Sequence, residues 1–171
     1  MRPDNCSYQE YAAWFISECN ALPLDPGWTV VGPFCDPTSA DDVAPWNSDF
    51  AIIFENDRYV RVGEYFRELP KPNSGKGALS EFRYHYGPCN RNRDTDGFPK
   101  FRREVDLRID IDTRNGRHAH YNGENHIPED RLTGLDFGTL EPFKFVRAVI
   151  AHRQGNVPLI DILGFTVERS S

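Results

Sequence analysis

No stretch of the 171 residues stays apolar for long enough to cross a bilayer, so a transmembrane helix is excluded. The start of the chain, "MRPDNCSYQEYAAWF", lacks a basic region followed by an apolar one. No secretory signal is read there, and a cytoplasmic location is expected. The four cysteines, Cys6, Cys19, Cys35 and Cys89, form no C-x-x-C pair. A zinc site built from them would need long-range assembly; free thiols are the simpler expectation, with Cys19 on a buried helix face. Internal repeats and low-complexity tracts are lacking too. Positive charge is nearly missing from the front of the chain: residues 1–57 hold ten acids and one base, Arg2. Residues 67–117 reverse the balance, with twelve bases to eight acids. This asymmetry argues against nucleic-acid binding over the whole surface and leaves room for a local phosphate-binding strip.

What is present reads as one globular domain over residues 1–171. Hydrophobic residues make up 39% and aromatics 13%, enough for a substantial core. "SYQE" at 7–10 is a capping box, and Tyr8, Tyr11, Ala12, Phe15, Ile16 and Cys19 follow helical spacing, predicting a helix over 8–21. "WTVVGPF" (28–34) reads as a strand. Phe50–Phe54 and Tyr59–Phe66 read as a hairpin turning at Asn56 and Asp57. "LSEFRYHY" sets Phe82, Tyr84 and Tyr86 on a core face, and Arg83 and His85 on the other. In "FRREVDLRIDID" the apolar Phe101, Val105, Leu107, Ile109 and Ile111 alternate with charges, marking an antiparallel strand with one buried and one wet face. "TLEPFKFVRAVIAHRQG" predicts a helix capped by Thr139, with Pro142 in its first turn and Gly155 as its stop. "VPLIDILGFTVE" predicts a last strand near 158–167. The sum is an α+β fold: a mainly antiparallel sheet with an N-terminal and a C-terminal helix packed on one face.

Chemistry-bearing residues concentrate in "RIDIDTRNGRHAHYNGENH" (108–126), which holds three of the five histidines. A two-residue Asn115-Gly116 turn would set His120 opposite Ile111, on the buried face. A three-residue loop, Arg114-Asn115-Gly116, puts glycine at the left-handed position. It pairs Ile111 with Ala119, Ile109 with Tyr121, Asp112 with His118 and Asp110 with His120. Arg108, Asp110, Asp112, His118 and His120 then share the wet face.

That face admits several readings. An exposed sheet face must carry polar groups in any case. As chemistry, His118 and His120 could act as general acid and base in phosphodiester cleavage, oriented by Asp110 and Asp112. Arg108 and Arg117 would hold the phosphate, and Arg102 and Arg103, within the basic strip "RNRDTDGFPKFRR", would hold an RNA backbone. No metal is needed if a ribose 2′-hydroxyl is the nucleophile. Alternatively, H-A-H on a strand can chelate, and His118, His120 and Asp110 could hold iron or zinc. Glu124 completes an H-x-H-x-x-x-E pattern similar to the first cupin motif, but no second such motif follows. His126 reads as a loop histidine within one loop swing of the site, His85 as structural, and His152 as a residue of a helix C-terminus.

Arg108-x-Asp110, a short turn, His118-x-His120 and a helix opening with aromatics resemble the TumE-like toxins of bacterial toxin–antitoxin pairs, over residues 104–155. The resemblance implies that Arg108, Asp110, His118 and His120 form an active face acting on RNA. Ile109 stands where that family has tyrosine, and the long acidic N-terminal portion is not part of its pattern. The expectation is therefore a ribonuclease-like toxin or defence effector with an antitoxin-like protein partner. The alternative is a non-enzymatic inhibitor or assembly subunit, binding a basic partner through the acidic first third, Asp41, Asp42, Asp49, Trp28 and Trp46.

Overall fold

A computed structural model describes residues 1–37, 45–89, 94–95, 97–98 and 105–168. Its elements in order are β1 (Cys6–Ser7), α1 (Tyr8–Asn20), β2 (Thr29–Pro37), β3 (Trp46–Phe54), β4 (Arg58–Glu68) and β5 (Lys76–Pro88). There follow β6 (Leu107–Asp112), β7 (Gly116–Tyr121), β8 (Glu124–Pro128), a single 3₁₀ turn, β9 (Leu132–Thr133), α2 (Pro142–Gly155), α3 (Leu159–Leu163) and β10 (Thr166–Val167). Strands β2 to β8 form one antiparallel meander in chain order, and β1 pairs with the start of β5. Each neighbour in the meander follows its predecessor through a reversal, which is why the sheet needs no crossover.

Both long helices lie on one face. The Ser7–Glu10 capping box opens α1, which sends Tyr11 onto Phe66 (ring centroids 4.5 Å apart) and Phe15 onto Phe143 of α2 (5.0 Å). Phe145 of α2 reaches Tyr84 at the sheet centre (5.7 Å). The alternation foreseen for β5 holds: Phe82, Tyr84 and Tyr86 join this core. Trp46 is fully buried, stacked on Phe66, and lies so close to Gly77 that a Cβ there would meet its ring at 2.4 Å. The core also contains a charge. Glu64 accepts from Arg2 Nη1 (2.8 Å) and from the hydroxyls of Tyr11 and Tyr84 (2.5 Å each), while Tyr11 Oη also meets Ser48 Oγ (2.8 Å). Burial, reinforced by Glu64, raises both tyrosine pKa values far above the ordinary range.

Several boundaries differ from the sequence reading. The strand read over 101–112 begins at Leu107 among the described residues, with Val105 and Asp106 ahead of it. Thr139 does not cap α2; Glu141 occupies that position ahead of Pro142, and Asn156, left-handed at φ 54°, closes the helix after Gly155. The strand expected near 158–167 is largely helix α3, because Leu159 and Leu163, one turn apart, both reach the core; only Thr166–Val167 pair, with β9. Residues 38–44, 69–75 and 99–104 lie outside the described residues, so Phe101, Arg102, Arg103, Asp41 and Asp42 do too. No helix among the described residues is long and apolar enough to cross a membrane.

The cysteines Cys6, Cys19 and Cys89 are buried and all four are free thiols. Burial pushes Cys19 and Cys35 up to about 12, which makes both poor nucleophiles.

Candidate functional site

The hairpin from β6 to β7 has a register two residues away from the one the sequence suggested. Asp110 faces His118, Arg108 faces His120, Ile109 faces Ala119 and Asp112 faces Gly116. The cause is Asp112. Its carboxylate accepts from the backbone amides of Arg114 (2.9 Å) and Asn115 (2.6 Å), so the turn begins at Asp112 and not after Thr113. Gly116 is left-handed as expected, at φ 68°. A two-residue shift preserves the faces, so Arg108, Asp110, His118 and His120 still share one side. Arg117 does not. It lies across from Ile111 on the other side and pairs with Glu129 at 3.0 Å, which removes it from the site.

The face itself is not wet. Asp110, His118 and His120 are 0%, 2% and 4% exposed, and His85 next to them is 0% exposed. Further along the same face, Phe98 packs against Phe34 (5.6 Å) and beneath the Arg61 guanidinium (4.2 Å). At the cluster the charged groups cover one another. Asp110 Oδ2 accepts from Arg108 Nε (2.6 Å), and its Oδ1 lies 3.4 Å from Arg83 Nε. Arg108 Nη2 lies 2.6 Å from His120 Nε2. A guanidinium only donates, so His120 Nε2 accepts.

His118 is held differently. Its Nδ1 lies 3.2 Å from the Gly116 carbonyl and must carry a proton to bond there. Its Nε2 then faces Asp110 Oδ2 at 3.3 Å and Asp112 Oδ2 at 3.9 Å, and it is buried with no hydrogen-bond partner among the described residues. Hydrogen bonds from the Asn115 and Arg114 amides keep the Asp112 carboxyl below the usual carboxylate range.

His126, read from the sequence as a loop histidine, belongs to the site. Asn122 and Gly123 are both left-handed (φ 48° and 84°), making a tight turn that returns β8 along β7. A bulge in β8 opposite His120 then aims His126, itself at φ 56°, at the same face. Its ring centroid is 5.1 Å from that of His118 and 4.8 Å from that of His120. One donor atom of each of these three histidines lies within 4.8 Å of the others, and Asp110, Asp112 and His118 form a second such group. His126 is the exposed member. The signal for it was the dipeptide Asn122-Gly123, the strongest short-range mark of a hairpin.

His85 is structural, as anticipated, and stacks on Tyr59 at 5.0 Å. Burial, with Arg108 and Arg83 nearby, pushes its pKa down to about 3, so it is neutral. His152 contacts the Val157 carbonyl through Nδ1 (2.6 Å) at the end of α2, far from this chemistry in role. A cleft of about 320 Å³ opens beside the cluster, with Asp49, Arg61, Tyr65, Glu81, Arg83 and Asp112 among its lining residues. It shares Arg83 and Asp112 with the site.

Of the residues named for a protein-binding first third, Asp41 and Asp42 lie outside the described residues. Trp46 is core, Trp28 packs on Phe54 (4.8 Å), and Asp49 is paired with Arg61. No family model, curated protein or solved structure matches this chain.

Proposed function

We propose that the protein cleaves phosphodiester bonds in RNA, as a toxin or defence effector, at the cluster of Asp110, His118, His120 and His126. The convergence of three imidazoles from two strands, beside two arginines and a cleft, is the observation that carries this reading. Attack by a ribose 2′-hydroxyl on its own phosphate needs proton transfer at two oxygens and a positive charge near the phosphate. The imidazole cluster is suited to the first requirement. Arg83 and Arg108 are suited to the second: both lie against Asp110, and Arg83 is 46% exposed at the cleft. His126, on edge strand β8, is the exposed member of the cluster and the imidazole most open to an RNA strand. Asp110 serves as a positioning residue, holding Arg108 against His120.

The test is cleavage of end-labelled single-stranded RNA by the purified protein, with an all-deoxy strand as control. The reading expects products ending in 2′,3′-cyclic phosphate, an intact deoxy strand, and loss of cleavage in His126→Asn. That variant keeps a residue type that tolerates positive φ. Absence of RNA cleavage by the wild-type protein would overturn the reading.

A further inference from the structure

We infer that His118, His120 and His126 together bind one divalent transition-metal ion. The inference rests on the RNA-cleaving reading only for what the ion does: imidazoles that ligate it would no longer transfer protons, and water on the ion would take that part. The binding site stands on its own geometry.

Neighbouring donors first. Two histidines at i and i+2 on one strand project to one face, and a third from the adjacent strand closes a triangle. That is a facial arrangement of three neutral imidazoles, the ligand type that suits zinc, iron, copper and nickel. One donor atom from each lies within 4.8 Å of the other two. Tetrahedral zinc, at about 2.0–2.1 Å from each nitrogen, sets them roughly 3.3 Å apart. The triangle therefore needs to close by up to about 1.5 Å. His126 can supply that movement, being exposed and carried by the bulge of an edge strand.

The lone pairs point the same way. With its Nδ1 proton given to the Gly116 carbonyl, His118 turns a buried Nε2 toward two carboxylates. Two carboxylate oxygens facing one buried imidazole nitrogen call for positive charge between them, which a metal ion would supply. His120 Nε2 already accepts from a cation, Arg108 Nη2, which the ion would displace while Arg108 Nε stays on Asp110. The Gly116 carbonyl, on the far nitrogen, is what would orient His118, while Asp110 and Asp112, which face Nε2 itself, would supply negative charge close to the ion. Three protein ligands leave a further coordination position on the exposed His126 side. This is the pattern of catalytic sites, where the ion acts as a Lewis acid on a substrate oxygen.

The experiment is titration of the chelator-stripped, full-length protein with Co²⁺, followed by visible absorption and calorimetry, and then competition with Zn²⁺. The expected result is one ion per chain with the intense visible bands of tetrahedral cobalt, displaced by zinc. His126→Asn should weaken binding at least tenfold and His118→Ala should abolish it, while His152→Asn leaves it unchanged. Because His118 is buried, circular dichroism accompanies each variant, and the exposed His126→Asn decides the matter if His118→Ala fails to fold. Substoichiometric cobalt binding by the wild type, or unchanged affinity in His126→Asn, would overturn the inference. The two readings separate cleanly. Stoichiometric cobalt without RNA cleavage leaves the metal site standing and removes the RNA reading. RNA cleavage by a protein that binds no cobalt does the reverse.

Discussion

His85 sits under the candidate site as an uncharged ring in a positively charged neighbourhood. Tyr59 stacks on one side of it, and Arg83 and Arg108 flank it along the sheet. Its pKa of about 3 in the folded protein lies below the ordinary histidine value of about 6.5. Between those two values the unfolded chain binds the extra proton and the folded one does not, so stability rises with pH. The contribution of His85 is therefore complete above about pH 6.5 and is lost progressively as pH falls toward 3. At pH 5 the loss relative to neutral pH is roughly 2 kcal/mol. Urea denaturation at pH 7.5 and pH 5 measures it. His85→Phe, which keeps a ring on Tyr59, should flatten the acid limb by about that amount. An unchanged slope in His85→Phe would mean that other groups set the acid sensitivity. The sequence showed His85 opposite the aromatic face of β5 but could not show its burial, because alternation assigns a face and not its cover.

At the scale of elements, the β7–β8 hairpin decides whether there is a site at all. Asn122 and Gly123 are both left-handed, a conformation that costs a residue with a Cβ about 1 kcal/mol or more when it is not asparagine or glycine. Gly123→Val is expected to loosen β8 while leaving the meander from β2 to β7 in place. Faster amide exchange confined to residues 124–127, together with loss of whatever the three histidines do, is the expected pattern. Exchange spread evenly over the sheet would contradict it. A second element-level contact is tighter. Gly77 leaves room for Trp46, and Gly77→Ala would drive a methyl into the indole at 2.4 Å. Overpacking of this kind costs about 1–3 kcal/mol, readable as a lower urea midpoint with unchanged m value. These elements also show where sequence reading succeeds. The capping box of α1, the alternation in β5 and the left-handed Gly116 are local signals with local causes, and each was legible. The exact hairpin register was not, because it depends on a side chain, Asp112, turning back onto its own backbone. His126 was misplaced for a related reason: its strand is only five residues long and bulged.

Across the whole molecule, the antiparallel sheet with both long helices on one face followed from hydrophobic periodicity. What that periodicity hid was a charge in the middle of the core. Glu64 stands two residues from both Val62 and Phe66 in β4 and so shares their core face. In the fold it joins Arg2 from the chain's second residue, Tyr11 from α1, and Tyr84 from β5. The Arg2 backbone amide also donates to Glu141, at the cap of α2 (3.1 Å). Four separate elements are therefore tied to one carboxylate, or to the arginine that neutralises it. Burial works against the Arg2 charge, but Glu64, together with Tyr84 and Asp4, more than offsets this and leaves its pKa raised. Removing one partner of such a pair strands the other without solvent, at a cost of about 3–5 kcal/mol. Removing both can cost much less, since well-packed apolar replacements often match a buried ion pair. A double-mutant cycle with Arg2→Met and Glu64→Leu separates these terms. Each single change is expected to lower stability by about 3 kcal/mol or more, and the double variant to recover a substantial part of the summed loss. Thermal unfolding followed by tryptophan fluorescence and by far-ultraviolet dichroism should stay coincident throughout, since buried Trp46 sits within the same core. Strict additivity of the two losses would mean that Arg2 and Glu64 act separately, and that the N-terminal segment is held by its packing alone.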